Sequence, residues 1–325
     1  MLHFQTSRHS LRVWCRAVYF NLTNAKTDTT MVQEKIKGVG VALITPFNNY
    51  EVDFEALGRM VEHTINGGVD YIVALGSTAE TATMSLSERD KVLRFIVKQV
   101  NGRVPIVAGM GSNDTHSLVE QLRSFDLSDT VAILSVVPYY NKPSQEGIYR
   151  HYMAVAEASP VPVILYNVPG RTGVNMTAET TLRLAHASSN IVAVKEASGN
   201  IEQMQTIIDG RPDNFLILSG DDGITVELVK RGGKGVISVA ANAFPKLFCE
   251  CVHHAIEGNI EQAEEEIAKM DEPINLLFKE GNPTGVKTMT AVMGITNKEV
   301  RLPLVEGSEE LHKEIEKVVE RYQLR

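Results

Sequence analysis

The sequence predicts a closed (β/α)8 barrel, an α/β TIM barrel, followed by a C-terminal helical appendage. Three observations lead there. Eight short apolar runs recur with a regular beat between residues 38 and 240. The stretches between them carry the 3.6-residue periodicity of helices. After residue 258 the apolar runs stop and only helical patterning continues. Alternating strand and helix units give a parallel sheet with right-handed crossovers, and eight of them over about 220 residues suffice to close a barrel. An open doubly wound sheet is the competing arrangement. No G-x-G-x-x-G follows the first run, which counts against its dinucleotide-binding form.

The apolar runs stand at 39–44 (VGVALI), 71–76 (YIVALG), 105–111 (PIVAGMG), 131–137 (VAILSVV), 162–168 (PVILYNV), 191–197 (IVAVKEA), 215–221 (FLILSGD) and 235–240 (GVISVA). Continuous apolar runs of this length are the pattern of strands buried on both faces. The first intervening helix places Phe54, Leu57, Val61 and Ile65 on one face, with Asp53 as N-cap and Gly67 as stop. The second begins with Ser85 and has Glu88 three residues later, a capping box. The C-terminal region offers three helical stretches: one in 259–281, one around TGVKTMTAVMG and one in GSEELHKEIEKVVERYQ. The domain reading is therefore a barrel over 36–257 and a helical region over 258–325.

The first thirty residues differ from the rest. They hold the single Trp and one acid, Asp28, and lack the apolar stretch of a secretory signal. Their arginine and serine content resembles an organelle transit peptide. The alternative, favoured here, is an upstream in-frame extension with the start at Met31. Residues 1–35 are accordingly expected to be a disordered extension outside the core.

A net charge of −8 argues against a nucleic-acid partner, and no apolar run reaches the length of a membrane span. Three cysteines, Cys15, Cys249 and Cys251, make no C-x-x-C and no even framework, so a reducing compartment, the cytoplasm, is expected. None of the nine histidines falls at a strand end and no Walker loop is present, so neither a metal nor an organic cofactor is expected.

Barrel chemistry sits at the carboxyl ends of the strands. There the sequence places Ser77, Thr78 and Glu80 after the second strand, and Tyr139 and Tyr140 after the fourth. Tyr166, Asn167 and Arg171 end the fifth; Lys195 and Glu196 lie on the sixth; Gly220, Asp221 and Asp222 end the seventh; Ile237 lies on the eighth. Each has a plain structural alternative. Hydroxyls after a strand cap helices, paired tyrosines pack, and Gly-Asp-Asp-Gly is a turn and N-cap. Lys195 could end its strand in water. If it is buried, burial disfavours its charged form. The free amine can then attack a ketone to form a Schiff base. Converting that imine to an enamine needs a proton acceptor. Tyr166, on the neighbouring strand, is in reach, with Thr78 and another tyrosine as relay because a phenol alone is too weak a base at neutral pH.

Over residues 36–325 the chain resembles the pyruvate-dependent class I aldolases of the dihydrodipicolinate synthase and N-acetylneuraminate lyase superfamily. The motifs that carry the likeness are GSTAETATMS, VPYYNKPSQEG, YNVPGRTG, VKEASGN and LSGDD. The resemblance implies that Lys195 forms the imine with pyruvate and that Tyr166 is the general acid and base. Thr78 and Tyr140 complete the relay, Tyr140 being lent by the neighbouring subunit of a tight dimer within a homotetramer, a dimer of dimers. Ser77 and Thr78 would hold the pyruvate carboxylate, and Gly220 and Ile237 would line the lysine pocket through backbone carbonyls. Arg171 would meet the carboxylate of L-aspartate-4-semialdehyde. It thus favours members that make 4-hydroxy-tetrahydrodipicolinate, on the route to lysine and diaminopimelate, over those that cleave N-acetylneuraminate or 2-keto-3-deoxy sugar acids. A catalytically silent oxo-acid binder would be expected to have lost Lys195, Tyr166 or the relay.

Two departures stand out. Ala79 occupies a position that is usually Gly in the family, which asks for a negative φ there. Of the residues that bind inhibitory L-lysine in sensitive relatives, Asn113 and Tyr139 match. Leu86, Arg89 and Ser117 replace two histidines and an acid, with His116 beside Ser117. Lysine inhibition is expected to be weak or absent.

Overall fold

The computed structural model describes residues 29–324. Eight parallel strands close in the order β1-β10-β9-β8-β7-β6-β5-β4. They are β1 (Gly38–Ala42), β4 (Tyr71–Ala74), β5 (Ile106–Gly109), β6 (Ala132–Val136), β7 (Val163–Asn167), β8 (Ile191–Glu196), β9 (Leu216–Ser219) and β10 (Gly235–Ser238). All eight apolar runs are strands, shorter than the runs because their carboxyl ends feed the loops. Between β1 and β4 lies a hairpin not foreseen from the sequence, β2 (Phe47–Asn48) and β3 (Glu51–Val52). Its two-residue turn sets Asn49 and Tyr50 at φ 51° and 69°, and strands of two residues leave no readable alternation.

The helices are α1 (Thr29–Lys35), α2 (Phe54–Asn66), α3 (Leu86–Val100), α4 (Thr115–Ser124), α5 (Gln145–Ala158), α6 (Pro169–Thr172), α7 (Ala178–Ala187), α8 (Ile201–Gly210), α9 (Thr225–Lys230) and α10 (Pro245–Ile256). The C-terminal region adds α11 (Ile260–Lys269), α12 (Asp271–Phe278), α13 (Thr284–Val292) and α14 (Glu309–Arg321). The first of the three expected C-terminal stretches is thus broken at Met270 into two helices. Asp53 accepts the Ala56 N–H as N-cap of α2, and the Ser85–Glu88 capping box opens α3. Gly67 ends α2 with right-handed φ. Its need for glycine is instead spatial, since a Cβ there would lie 2.3 Å from Pro245.

The helix α1 lies inside the stretch expected to be a disordered, non-core extension. Val32 on it is buried, as is Ile36 just after it, and both join the inner barrel layer with Tyr71, Leu216 and Ile237. Apolar side chains at the amino ends of parallel strands need a cover, and this segment provides it. The expected readings of residues 1–28, a transit peptide or an upstream extension, lie outside the described residues.

Two packing features mark the two ends of the barrel. Tyr71 crosses the interior, where a Cβ on Gly40 would come 2.2 Å from its ring. At the other end, α13 buries Lys287 beside Glu80, with Nζ to Oε1 at 2.5 Å and both side chains removed from solvent. Lys287 also donates to the Glu299 carbonyl at 2.8 Å, and Glu80 accepts the Arg301 N–H at 2.9 Å. Lys287 Nζ and the Arg301 guanidinium each lie 4.2 Å from the centre of the Phe47 ring. Burial pulls the Lys287 pKa down to about 8, against the opposing pull of Glu80. Removing one partner of such a pair leaves a buried charge without compensation. Lys287→Met is therefore expected to lower unfolding stability by about 3–5 kcal/mol, read as a shift in the urea midpoint. A shift equivalent to less than about 1 kcal/mol, the scale of an exposed pair, would contradict this role.

Candidate active site

Parallel pairing of β7 with β8 sets Tyr166 opposite Lys195 and Asn167 opposite Glu196. Side chains alternate along a strand, so the first pair points into the barrel and the second outward. Lys195 is 5% exposed, which excludes the reading in which its strand ends in water. Its Nζ lies 4.5 Å from the centre of the Tyr166 ring. Burial lowers the Lys195 pKa to about 8, with Asp222 opposing and Arg171 reinforcing the fall. Burial also pushes the Tyr166 phenol up, opposed by Arg171. A larger share of the Lys195 amine is then unprotonated at neutral pH than for a lysine in water.

Behind this pair is a buried polar network. Asn167 Nδ2 donates to both Glu196 oxygens at 3.1 and 3.0 Å and to Asn175 Oδ1 at 2.7 Å. Asn167 Oδ1 accepts the Met176 N–H at 2.9 Å. Glu196 also accepts from the Ser198 N–H and from Gln203 Nε2, at 2.8 and 3.0 Å. The burial of Glu196 raises its pKa against these hydrogen bonds.

The other sequence-indicated residues fall into three groups. Gly220 adjoins Lys195 and Ile237 lies in the inner layer with Tyr166. A Cβ on Gly220 would sit 2.5 Å from Ala197 Cβ and 3.1 Å from Lys195 Cε, so glycine is needed against Ala197 and leaves Lys195 uncrowded. Ser77 and Arg171 line a cavity of about 350 Å³, of which Thr78 is not a lining residue. Its walls include Ser77, Tyr166, Arg171, Tyr139, Arg89 and Asn282. Ser77 and Thr78 lie in the 3-10 turn Ser77–Ala79, with Thr78 buried beneath the cavity wall. The left-handed residues of this loop are Leu75 and Glu80, at φ 58° and 57°, while Ala79 keeps a negative φ. Arg171, on the short helix α6, donates from Nη2 to the Asn282 carbonyl at 3.0 Å. Tyr140 stands apart: it is 87% exposed, at φ 72°, and outside the cavity of its own chain.

Sequence reasoning missed Asn282 and gave Arg89 and Asp222 other roles. Asn282 Nδ2 donates to Thr78 Oγ1 at 3.0 Å across 204 positions of sequence. Arg89 lines the cavity and donates to the Thr81 carbonyl at 2.6 Å. Asp222, read from the sequence as a turn and N-cap residue, accepts the Val239 and Ala240 N–H groups at 3.1 and 3.0 Å. It therefore caps the turn Ala240–Asn242 after β10, not α9, whose N-cap is Ile224. Burial pushes its pKa up to about 6. Asp222 at a strand end and Arg89 in the helix after the second strand's loop gave a signal in the sequence, and Asn282 gave none.

Fold and site together define a (β/α)8-barrel protein with a desolvated amine beside a phenol at the carboxyl ends of its strands. The chain belongs to the dihydrodipicolinate synthetase family, whose model matches residues 35–322. The 4-hydroxy-tetrahydrodipicolinate synthase of Phocaeicola vulgatus is 54% identical over 276 residues, 85% of this chain and 93% of that one. The crystal structure of dihydrodipicolinate synthase from Aquifex aeolicus is 40% identical with a TM-score of 0.86, covering 89% of this chain and 99% of that one. A dihydrodipicolinate synthase variant characterised as monomeric is 36% identical with a TM-score of 0.88, over 92% and 99% of the two chains.

The position of Lys195 gives a pH prediction. kcat/KM for the oxo-acid substrate is expected to rise with pH through an inflection near 8, because the unprotonated amine is the reactive form. An inflection near 10, that of a solvated lysine, would contradict the desolvation of Lys195.

Proposed function

We propose that this protein is a lyase that condenses pyruvate with L-aspartate-4-semialdehyde to 4-hydroxy-tetrahydrodipicolinate, in the biosynthesis of lysine and diaminopimelate. The observation that carries the reading is Lys195, buried and set against Tyr166 in a chain of this family. Lys195 Nζ attacks C2 of pyruvate and water leaves, giving an imine. Tyr166 takes a proton from C3 to give the enamine, and passes it on through Thr78 and Tyr140. The enamine carbon attacks the aldehyde carbon of the second substrate, whose oxygen takes up a proton. The amino group of that substrate then adds to C2, which closes the ring, and Lys195 leaves as the amine, restoring a C=N bond at C2.

In this reading Ser77 and Thr78 hold the pyruvate carboxylate, and Gly220 and Ile237 shape the lysine pocket. Arg171, at the mouth of the cavity, receives the carboxylate of the semialdehyde in the bidentate geometry that guanidinium suits. No metal or organic cofactor is required by these steps. Tyr140 serves a second copy of the chain, in a tight dimer within a homotetramer; its exposure and the exposed Leu86, Tyr139, Leu302 and Val305 support such a contact. Among the described residues no helix is long and apolar enough to cross a membrane. A cytoplasmic location is proposed with the pathway.

Turnover of pyruvate with aspartate semialdehyde, and not with N-acetylmannosamine, is the expected outcome of a direct assay; the reverse preference would overturn the reading. Tyr166→Phe is expected to lower kcat by roughly 10²–10⁴-fold with the fold intact. Arg171→Ala should raise KM for the semialdehyde far more than for pyruvate. Equal damage to both would assign Arg171 a structural role. L-lysine is expected to inhibit weakly or not at all, because the Arg89 cation repels an ammonium and supplies no acceptor. Half-inhibition at submillimolar L-lysine would contradict this.

A further inference from the structure

The turn that presents Ser77 is held from behind. Ser77 is exposed on the cavity that Tyr166 and Arg171 also line, and among the described residues its Oγ has no hydrogen-bond partner. Its place is therefore set by its backbone. The Ala79 N–H closes the turn on the Gly76 carbonyl and the Glu80 N–H closes it on the Ser77 carbonyl, both at 3.1 Å. Glu80 then takes φ 57° and ψ 34°, a left-handed conformation that a residue with a Cβ adopts only at a cost. The Glu80 side chain offsets that cost. Its Oε1 meets Lys287 Nζ at 2.5 Å, with both side chains withdrawn from water, and its Oε2 accepts the Arg301 N–H at 2.9 Å. Lys287 is held in turn by the Glu299 carbonyl at 2.8 Å. The loop is caught again at Thr83. The Thr83 N–H bonds the Glu80 carbonyl at 3.0 Å, and the Thr83 carbonyl accepts from Arg301 Nη1 at 3.1 Å.

We propose that Glu80 and Lys287 are positioning residues for the oxo-acid substrate: their buried ion pair holds the Glu80 backbone in the left-handed region and so sets Ser77 against the substrate carboxylate. The proposal rests on the reading that Ser77 holds that carboxylate. The pair acts through the turn, because its two charges are buried and spent on each other. Glu80 is the residue whose own N–H closes the turn on Ser77, so a shift of its backbone is passed directly to Ser77. Lys287 comes from α13, in the C-terminal region, and thereby lends that region a part in substrate binding that the barrel alone would not provide.

The test uses the full-length enzyme under conditions where each variant is folded. It compares Glu80→Gln, Lys287→Met, the double variant Glu80→Gln/Lys287→Met and Ser77→Ala. Leu118→Ala, a truncation of a fully buried residue on α4, controls for lost stability. Steady-state kcat and KM are read for both substrates, together with the pyruvate concentration needed for borohydride trapping of the imine. Each single variant of the pair is expected to lower kcat/KM for pyruvate by roughly tenfold to a hundredfold, the scale of a displacement of about 1 Å. KM for the semialdehyde should stay within about twofold, since its binding is not what the turn sets, and trapping should need correspondingly more pyruvate. The double variant leaves no unpaired buried charge, and should recover part of the loss in kcat/KM as well as in the urea midpoint. A pair that serves stability alone moves only the urea midpoint, as Leu118→Ala does. Unchanged kcat/KM for pyruvate in the three pair variants, or equal losses for both substrates, would overturn the proposal while leaving the reading of Ser77 intact. Ser77→Ala with unchanged kcat/KM for pyruvate would overturn that reading, and the proposal with it. Should the single variants fail to fold, Glu80→Asp decides, since it keeps the charge but draws it back by one methylene. The same selective loss for pyruvate is expected there, and wild-type kinetics would overturn the proposal.

Discussion

A primary amine with a pKa drawn down to about 8, 4.5 Å from the centre of a phenol ring, can persist in a barrel only if both strands are held in one register. A slip of one residue would turn Lys195 and Tyr166 outward together, because side chains alternate along a strand. The outward neighbours prevent that slip. Asn167 sits opposite Glu196 and donates to both its carboxylate oxygens across β7 and β8, and Gln203 and Ser198 complete the carboxylate's hydrogen bonds. The cross-strand pair behind the site thus fixes the pair within it. Gly220 keeps the adjoining strand end clear, since a Cβ there would lie 2.5 Å from Ala197 Cβ.

The C-terminal region does more than pack against the barrel. Three of its residues reach the carboxyl ends of the strands: Asn282 at Thr78, Lys287 at Glu80 and Arg301 at Glu88. Arg301 also donates to the Thr83 and Tyr50 carbonyls, so the hairpin after β1 and the loop after β4 are joined to the same segment. Phe47 stacks beneath both cations, which offsets part of the cost of holding two positive groups inside the protein. The loop that presents Ser77 and Thr78 is therefore fixed from the far end of the chain. This explains how a non-glycine residue, Glu80, is kept in the left-handed region at φ 57°.

How much of this could be read from the sequence divides along physical lines. Strands, surrounding helices and their caps were legible because each depends on residues within a few positions: the apolar run at 191–196, Asp53 with Ala56, Ser85 with Glu88. The convergence of Lys195, Tyr166 and Gly220 followed from strand order alone, since a parallel barrel gathers the carboxyl ends of its strands. What escaped depends on pairings across the chain. Asn282 lies in a turn sequence that carries no periodicity, and its bond to Thr78 spans the barrel. Lys287 sits among apolar residues of α13, where a lysine reads as the polar face until its partner is known. The segment around Val32 and Ile36 gave no signal because it is too short to show a period, though it covers one end of the barrel.

The central claim is that the buried Lys195 amine is the nucleophile. Reduction of the full-length protein with borohydride in the presence of pyruvate, followed by peptide mapping, tests it most directly. The account predicts loss of activity with a single pyruvate-derived adduct on Lys195, absent when pyruvate is omitted. An adduct on any other residue, or full activity retained after reduction with pyruvate, would contradict it.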